Sequence, residues 1–319
     1  MIRARVLAAG AIALGAILPA VTSAEKSFDT PEAAVIALVQ AIEKGDRKAV
    51  ESIVGKDLRA AFVEDVKRAD EGAVRAAAVR AAKRQSTIEP DPTVPGHKIW
   101  YLGEAEWPFP APLVPHGTKW RFDGKAGLEE LHARRIGRNE LFAMAACVGY
   151  VDAQLEYSSD DYDDDGILEY SPKIVSTAGK RDGLYWSTDD GEEESLIGPF
   201  GALAARGEVV PGGKPEPLAG YWFRVLTAQG SHARGGARDY RVGNDVLGGF
   251  ALVAYPAQYG VTGIKTFIVN QLGEVYERDL GPSTESVASA LTAYDPDSSW
   301  NRVIDDLRVA LEETEDEVD

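Results

Sequence analysis

The chain has 319 residues, of which 51 are Asp or Glu and 34 are Lys or Arg, so its formal net charge is −17 at pH 7. A charge of this sign repels phosphate backbones and anionic lipid head groups, and we expect no nucleic-acid partner. Cys147 is the only cysteine, so no intramolecular disulfide can form. We therefore expect an apolar core to provide the stability of the fold. The length is sufficient for two modest domains.

Residues 1–24 have the features of a secretory signal peptide. Arg3 and Arg5 are followed by the apolar run Val6–Ala20 and by small residues up to Ala24. We expect cleavage near Ala24 and a periplasmic or secreted mature protein. The apolar run is shorter than the roughly 20 residues that a membrane span needs, so no transmembrane span is expected in the mature chain. The alternative is an uncleaved leader that holds the same domains at the outer side of the inner membrane.

The segment after the leader is predicted to be helical. Asp29–Glu32 supplies a polar cap, a proline in the first turn and an acidic residue near the positive end of the helix dipole. Apolar residues recur at helical spacing from Val35 to Ile42, and Gly45 ends the helix. A second helix is predicted over Arg47–Val54, and an alanine-rich helix over Ala60–Arg84.

The pattern changes at His97 to aromatic and β-forming residues. Ile99–Leu102 and Thr118–Phe122 are predicted strands, and the proline-dense segment Pro108–Pro115 is predicted to be a stiff loop that joins them. Helices followed by strands predict an α+β domain over residues 25–125, in which N-terminal helices pack on a small curved sheet.

Residues 126–305 are predicted to form a second domain, a long helix packed on an antiparallel sheet. Apolar residues return to one side of Gly127–Tyr157 without a proline, and Ser158–Glu194 is acidic and rich in loops. Four β segments follow, and Asn270–Gly273 has the sequence of a tight hairpin turn. The β segments are Tyr221–Thr227, Phe250–Tyr255, Thr266–Asn270 and Glu274–Glu277. Residues 306–319 are predicted to form an acidic tail. The predicted fold class of the whole chain is α+β.

Six phrases carry a resemblance to a known family. They are Arg134–Glu140, Asp182–Trp186, Gly220–Gly230, Gly248–Pro256, Thr266–Asn270 and Tyr294–Asp297. In these phrases the chain resembles an uncharacterised family of exported bacterial proteins, domain of unknown function 2950. The resemblance covers nearly all of the mature chain. It implies export and brings no activity, cofactor or catalytic residue.

The region after Gly127 is also similar to the globular part of type II secretion pseudopilins. In this chain and in the pseudopilins, a long helix is followed by an aspartate loop and then by a small antiparallel sheet. Here the helix contains Tyr150–Tyr157. Pseudopilins carry this helix at the mature N-terminus behind a specific cleavage motif, whereas here it lies in mid-chain. The likeness therefore implies a pseudopilin-like fold and not filament assembly.

The segment Asp160–Glu169, here called the aspartate loop, has the spacing of a calcium loop. Counted from Asp161, carboxylates occupy the first, third, fifth and ninth places, and Gly166 stands sixth, where the chain must turn sharply. The predicted calcium ligands are Asp161, Asp163, Asp165, the carbonyl of Ile167, and Glu169. The twelfth place is Pro172 instead of the bidentate Glu of an EF-hand, so an EF-hand proper is not expected. A structural calcium loop and a solvated acidic turn are the two interpretations.

For the other residues that could take part in catalysis or ligand binding, the sequence context favours structural roles. The histidines lack the spacing and the flanking Glu of a helical zinc site, and Ser231-His232 lacks the strand–turn–helix frame of a serine nucleophile. One aromatic group can line a ligand groove or fill a core, and the core is favoured. Cys147 is predicted to be a small core residue. The histidines are His97, His116, His132 and His232, and the aromatic group is Trp100, Tyr101, Trp107, Phe109 and Trp120.

The sequence as a whole predicts an exported, noncatalytic protein that acts as an envelope or secreted binding or interaction module. Calcium is the one expected cofactor, and an envelope protein is the expected kind of partner. The alternative is an enzyme of unrecognised type with its site between the two domains. A cleft with paired carboxylates would favour the enzyme, whereas an exposed aspartate loop alone would favour the module.

Overall fold

A computed structural model of the chain describes residues 25–65, 71–162, 166–186, 195–197 and 217–303. The chain divides into two compact units, Met1–Leu131 and His132–Asp319. Helices and mainly antiparallel sheets occur in both units, which confirms the α+β class. The predicted leader, residues 1–24, and the predicted acidic tail, residues 306–319, lie outside the described residues.

Four helices open unit 1: α1 (Pro31–Lys44), α2 (Arg47–Val54), α3 (Lys56–Asp65) and α4 (Glu71–Arg84). Thr30 and Asp46 cap α1 and α2, because each side-chain oxygen accepts the N–H of the residue three positions later, both at 3.1 Å. Gly45 ends α1 with a φ of 66°, in the left-handed region that favours glycine. The first two predicted helices are confirmed. The predicted helix Ala60–Arg84 corresponds to parts of α3 and to α4, and residues 66–70 lie outside the described part.

Unit 1 also contains a five-stranded antiparallel sheet of β1 (Ser86–Pro90), β2 (Lys98–Leu102), β3 (Trp107–Pro108), β4 (Leu113–His116) and β5 (Lys119–Phe122). The helices and the sheet share one core, which includes Leu38, Trp100 and Phe122. The predicted stiff loop Pro108–Pro115 is wrong at both ends, because Pro108 belongs to β3 and the residues from Leu113 onward belong to β4. Since β2 pairs with β4 only at Lys98 and Leu113, the missing N–H of the proline in β4 breaks no bond of that ladder.

Unit 2 contains ten strands among its described residues: β6 (Tyr221–Leu226), β7 (Ala228–Gln229), β8 (Arg238–Asp239), β9 (Arg241–Val242), β10 (Asp245–Val246), β11 (Ala251–Pro256), β12 (Lys265–Asn270), β13 (Tyr276–Asp279), β14 (Ala293–Tyr294) and β15 (Asn301–Arg302). Five of them form an antiparallel sheet in the order β15-β13-β12-β11-β6. The four predicted β segments correspond to β6, β11, β12 and β13. The predicted turn is also confirmed, because the N–H of Gly273 donates to the carbonyl of Asn270 at 2.9 Å.

Both faces of this central sheet are covered. All six residues of β11 are buried, and they alternate between two cores, so that Leu252 packs with α5 and Val253 packs on the opposite face. The opposite face lies against α6 (Thr284–Ala290) and a three-stranded sheet in the order β14-β7-β8. In this small sheet β7 pairs with β14 in parallel and with β8 antiparallel. The two remaining strands, β9 and β10, form a separate hairpin.

The helix α5 (Gly124–Tyr157) confirms the predicted long helix and begins three residues earlier than predicted. Its second half supplies Cys147 and Tyr150 to the core on the first face of the central sheet. Glu140 fixes α5 to β12, because its Oε1 accepts the N–H groups of Ile264 and Lys265 at 2.9 and 3.0 Å. None of the helices in the described part of the chain is both long and apolar enough to cross a membrane.

Candidate functional site

The aspartate loop follows directly on the end of α5, and aromatic rings fix its first part. The ring of Tyr162 stacks on that of Tyr157, with centroids 5.2 Å apart, and lies 5.6 Å from the ring of Trp186. Tyr157 and Trp186 are both buried. The hydroxyl of Tyr157 donates to the carbonyl of Arg181 at 2.9 Å. The entry to the loop is therefore packed against the end of α5 and against Trp186.

The first and sixth places of the loop lie in contact. The N–H of Gly166 donates to Oδ2 of Asp161 at 2.8 Å. Gly166 has a φ of 88°, a conformation that other residues rarely adopt, which explains why this place is glycine. Asp163 and Asp165, the predicted third and fifth ligands, lie outside the described residues.

The exit of the loop is tied to the β9–β10 hairpin. Glu169, the predicted ninth-place ligand, is buried, and its Oε2 accepts a hydrogen bond from the N–H of Val246. The N–H of Tyr170 donates to the carbonyl of Val246 at 3.0 Å. Ile167, in contrast, is 37% exposed, and Leu168 is 59% exposed. The exit is thus held by its backbone and by Glu169, while the turn before it faces solvent.

Calcium binding by the aspartate loop stays a prediction from the residue types and their spacing. Carboxylate and carbonyl oxygens are the ligands that calcium takes in proteins. Among the described residues, no group of three or more His, Cys, Asp or Glu side chains is placed to hold a metal ion. The described members of the predicted ligand set are Asp161, Ile167 and Glu169, and the structure brings Asp161 to Gly166 and Glu169 to Val246.

A second polar cluster lies in unit 2 and was not predicted from the sequence. Nδ1 of His232 is 3.0 Å from Oδ2 of Asp295, and the N–H of His232 donates to Oδ1 of the same carboxylate at 2.8 Å. The hydrogen bond and the charge of Asp295, with the charge of Asp297, raise the pKa of His232. A Cβ at Gly230 would lie 2.2 Å from Cγ of Asp295, so this approach requires glycine. No short-range sequence pattern connects His232 with Asp295, which explains why sequence reasoning missed the pair.

The other predicted residues have structural positions. Cys147 is fully buried in the core of unit 2, as predicted, and burial raises the pKa of its thiol to about 12. Trp100 and Phe109 belong to the core of unit 1, with ring centroids 5.0 Å apart. Trp107 is the exposed member of the aromatic group, at 43%, and Tyr101 and Trp120 are half-buried. For Trp100 and Phe109 the core interpretation is therefore correct.

Comparison with known proteins identifies a family for this chain. Residues 25–303 match the family model described as "Protein of unknown function (DUF2950)". No curated protein and no solved structure matches the chain, so the pseudopilin-like fold of the second half stays a prediction. The matched region begins one residue after the predicted leader and includes both units up to the end of the described residues. Because the model matches well over half of the sequence, the chain belongs to this DUF2950 family.

Proposed function

We propose that the protein is an exported, noncatalytic binding or interaction module of the cell envelope or the extracellular medium, and that calcium stabilises its aspartate loop. Export is supported by the basic, apolar and small-residue order of residues 1–24 and by the family match, which begins at Glu25. The mass of the native N-terminus tests this part. A mature chain that begins at Glu25 agrees with the proposal, and a retained Met1 contradicts cleavage.

The observation that carries the calcium proposal is the contact of Asp161 with Gly166. It brings the first and sixth places of the predicted calcium loop together, and the third and fifth places, Asp163 and Asp165, stand between them in the sequence. Carboxylates so close in the chain repel one another, and a divalent cation offsets that repulsion. Asp161, Asp163, Asp165 and the carbonyl of Ile167 are the proposed ligands.

Glu169 has a different role in this proposal. Its buried carboxylate accepts the N–H of Val246 in β10, so it links the exit of the loop to the β9–β10 hairpin. A cation bound at the earlier places would then restrain a segment that is already fixed at both ends. Such preorganisation lowers the ordering cost of binding.

Calorimetry with calcium and the melting temperature with and without a chelator test the proposal. A cation that binds only the folded state raises stability by RT ln(1 + [L]/Kd), about 1–2 kcal/mol at a free concentration of 5–20 Kd. Loops of this kind in extracellular modules have Kd values of about 0.1–1 mM. Asp163→Ala should abolish both the heat and the thermal shift. Glu89→Gln, which removes an exposed carboxylate from β1 in unit 1, should leave both unchanged. The absence of heat and shift at millimolar calcium in the unaltered protein would reduce the loop to a solvated acidic turn.

A further inference from the structure

The strand β1 forms one end of the sheet of unit 1, whose main path has the order β1-β2-β4-β5. At the other end of this path, β5 is extended by Phe28, which exchanges two backbone hydrogen bonds of 2.7 Å with Trp120. Within the described part of the chain, no segment pairs with β1 on the side away from β2. The sheet of unit 1 therefore has an open strand edge at β1.

The register of β1 on β2 decides which backbone groups of β1 point to the open side. The N–H of Gly103 donates to the carbonyl of Gln85 at 3.0 Å, just before β1. The N–H of Asp91 donates to the carbonyl of His97 at 2.9 Å, just after β1. In an antiparallel pair, the bonded positions recur at every second residue. The odd-numbered residues of β1 therefore bond to β2, and the even-numbered residues present their backbone groups to the open side.

Pro90, the last residue of β1, fits this register. Its missing N–H lies on the open side, so Pro90 breaks no bond of the ladder with β2. It also ends the row of donors, which keeps the open edge short. The groups that point to the open side are the N–H and C=O of Ser86 and of Ile88, with the carbonyl of Pro90. An incoming antiparallel strand can therefore exchange two hydrogen bonds with Ile88 and form further bonds on either side of it.

The open edge is held in place by the core of unit 1. Oγ of Ser86 accepts a hydrogen bond from Nε1 of Trp100 at 2.7 Å, and Trp100 is buried. The side chain of Ile88 packs against the same core. Since the strand is already ordered, the addition of another strand requires ordering of the incoming segment alone, which lowers the cost of binding.

The face of the sheet away from the core is acidic beside β1. Glu89 is exposed and lies opposite Ile99, and Tyr101 lies on the same face two residues further along β2. Burial raises the pKa of Tyr101, and the charges of three carboxylates raise it further. These carboxylates are Glu89, Asp91 and Glu106. A basic side chain placed beside Glu89 is therefore attracted to this face.

The charges also distinguish a second copy of the chain from a different partner. The chain has a net charge of −17, so two copies repel each other. The basic residues that precede Ser86 are already paired, Lys83 with Glu43 and Arg84 with Glu104. The open edge therefore favours a basic segment of another protein over a second copy.

We propose that the open edge of β1 binds an extended segment of a partner protein as an added antiparallel strand, with an apolar side chain beside Ile88 and a basic side chain beside Glu89. Successive residues of a strand alternate between its two faces. The residue beside Ile88 thus turns toward the core side, and its neighbour turns toward the acidic face. The partner segment is one in which basic and apolar residues alternate. This proposal rests on the proposed role as an interaction module and names the class of its partner.

The probe is a short fluorescent peptide in which lysine and valine alternate, and fluorescence anisotropy with the purified protein measures its affinity. One control peptide carries N-methyl groups on the amides that would pair with β1. The other has glutamate in place of lysine. Binding of the first peptide alone supports the proposal. No binding of that peptide at millimolar protein, or equal affinity for the N-methylated peptide, overturns it.

Hydrogen exchange locates the bound peptide. At saturation the amides of Ser86 and Ile88 should exchange at least about tenfold more slowly, because the added strand takes up groups that point to solvent in the free protein. The amides of Thr87 and Glu89 are already bonded to β2 and should change less. Protection only at other parts of the chain would overturn the placement on β1.

A pair of charge reversals tests the acidic face. Glu89→Lys should weaken the affinity for the lysine–valine peptide about tenfold. Glu129→Lys makes the same change of net charge at an exposed position of α5 and should alter it by less than about twofold. Circular dichroism and the melting temperature check that both variants fold. Equal weakening by the two variants would show that net charge alone attracts the peptide, which contradicts the proposal.

The same variants separate this proposal from the calcium proposal. Calcium should raise the melting temperature of Glu89→Lys as much as that of the unaltered protein, because β1 contains none of the proposed ligands. A peptide that fails to bind while calcium still stabilises the protein overturns the assignment of β1 alone. A peptide that binds to β1 without any effect of calcium supports the strand edge and overturns the calcium loop.

Discussion

The side chain of Gln154 on α5 pairs with both backbone groups of Ser171. Oε1 of Gln154 accepts the N–H of Ser171 at 2.8 Å, and Nε2 donates to the carbonyl of Ser171 at 2.9 Å. Both residues are fully buried. Nε2 also donates to the hydroxyl of Tyr150 at 2.9 Å. This amide therefore connects the long helix to the chain just after the aspartate loop.

Replacing Gln154 should destabilise unit 2. Gln154→Leu leaves the N–H and the carbonyl of Ser171 buried without their partner, and each such group costs about 1–3 kcal/mol. We expect a loss of about 2–4 kcal/mol in the free energy of unfolding, measured by urea denaturation. Gln258→Leu, at an exposed position, is the matched control and should change it by less than about 0.5 kcal/mol. Similar losses in the two variants would contradict the role of the Gln154 amide.

Replacement by alanine should lower the stability of the protein at one glycine of α5 and raise it at another. Gly124→Ala places a methyl group 2.1 Å from the carbonyl oxygen of Val54 and should cost about 2–3 kcal/mol. Gly137 has no atom within 4 Å of an added Cβ, and Gly137→Ala should stabilise the helix by about 0.5–1 kcal/mol. Thermal unfolding of both variants measures the difference. A tolerated Gly124→Ala would contradict the close approach of α2 and α5.

The ion pair of His232 with Asp295 should make stability depend on pH. The pKa of His232 is raised in the folded state by its hydrogen bond to Asp295, from an unfolded value of about 6.5. The folded state therefore binds the proton more tightly, so the contribution is fully present below about pH 6.5 and is lost as pH rises through the folded pKa. His232→Asn, which cannot be protonated, should show a smaller loss of melting temperature between pH 6 and pH 9 than the unaltered protein.

Proton NMR tests the same pair directly. The imidazole of His232 should titrate with a midpoint above that of a free histidine, and Asp295→Asn should return the midpoint toward the ordinary value. Because the charge of Asp297 also raises the pKa of His232, a small upward shift of the His232 midpoint should persist in the Asp295→Asn variant. A midpoint in the unaltered protein at or below the ordinary value would contradict the pair.

Cys147 should not react with alkylating reagents while the protein is folded. Its side chain is fully buried, and burial raises the pKa of the thiol to about 12, so almost no thiolate forms near neutral pH. Iodoacetamide at pH 8 should leave the mass of the folded protein unchanged and add one group in urea. Rapid labelling without denaturant would show that unit 2 opens around α5.

The elements that the sequence predicts well are those with local signals. Thr30 and Gly45 stand directly before and directly after α1 in the sequence and mark its two ends. The apolar repeat of α5 continues to the end of that helix at Tyr157. The contact of Asp161 with Gly166 is also local, so its spacing was visible in the sequence. Short-range patterns of this kind depend on caps, turns and helical periodicity.

The elements that the sequence does not reveal depend on distant partners. β1 (Ser86–Pro90) is an edge strand with no fully buried position, so its alternation of polar and apolar residues is weak. β4 contains Pro115, a strand breaker that is accepted because β2 does not extend along it. The link of Glu169 to Val246 and the pair of His232 with Asp295 join residues far apart in the chain. Their partners follow only from the tertiary fold.

The parallel pair in the small sheet of unit 2 has a consequence for the order of assembly. β7 pairs with β14, where Ala228 lies opposite Ala293, and the N–H of Gly230 donates to the carbonyl of Tyr294. A chain that emerges from its N-terminus presents β7 and β8 long before β14. Closing such a distant contact is entropically slow. The layer over the second face of the central sheet therefore closes late, and a nascent chain that ends before Ala293 leaves one edge of β7 open to association with other chains.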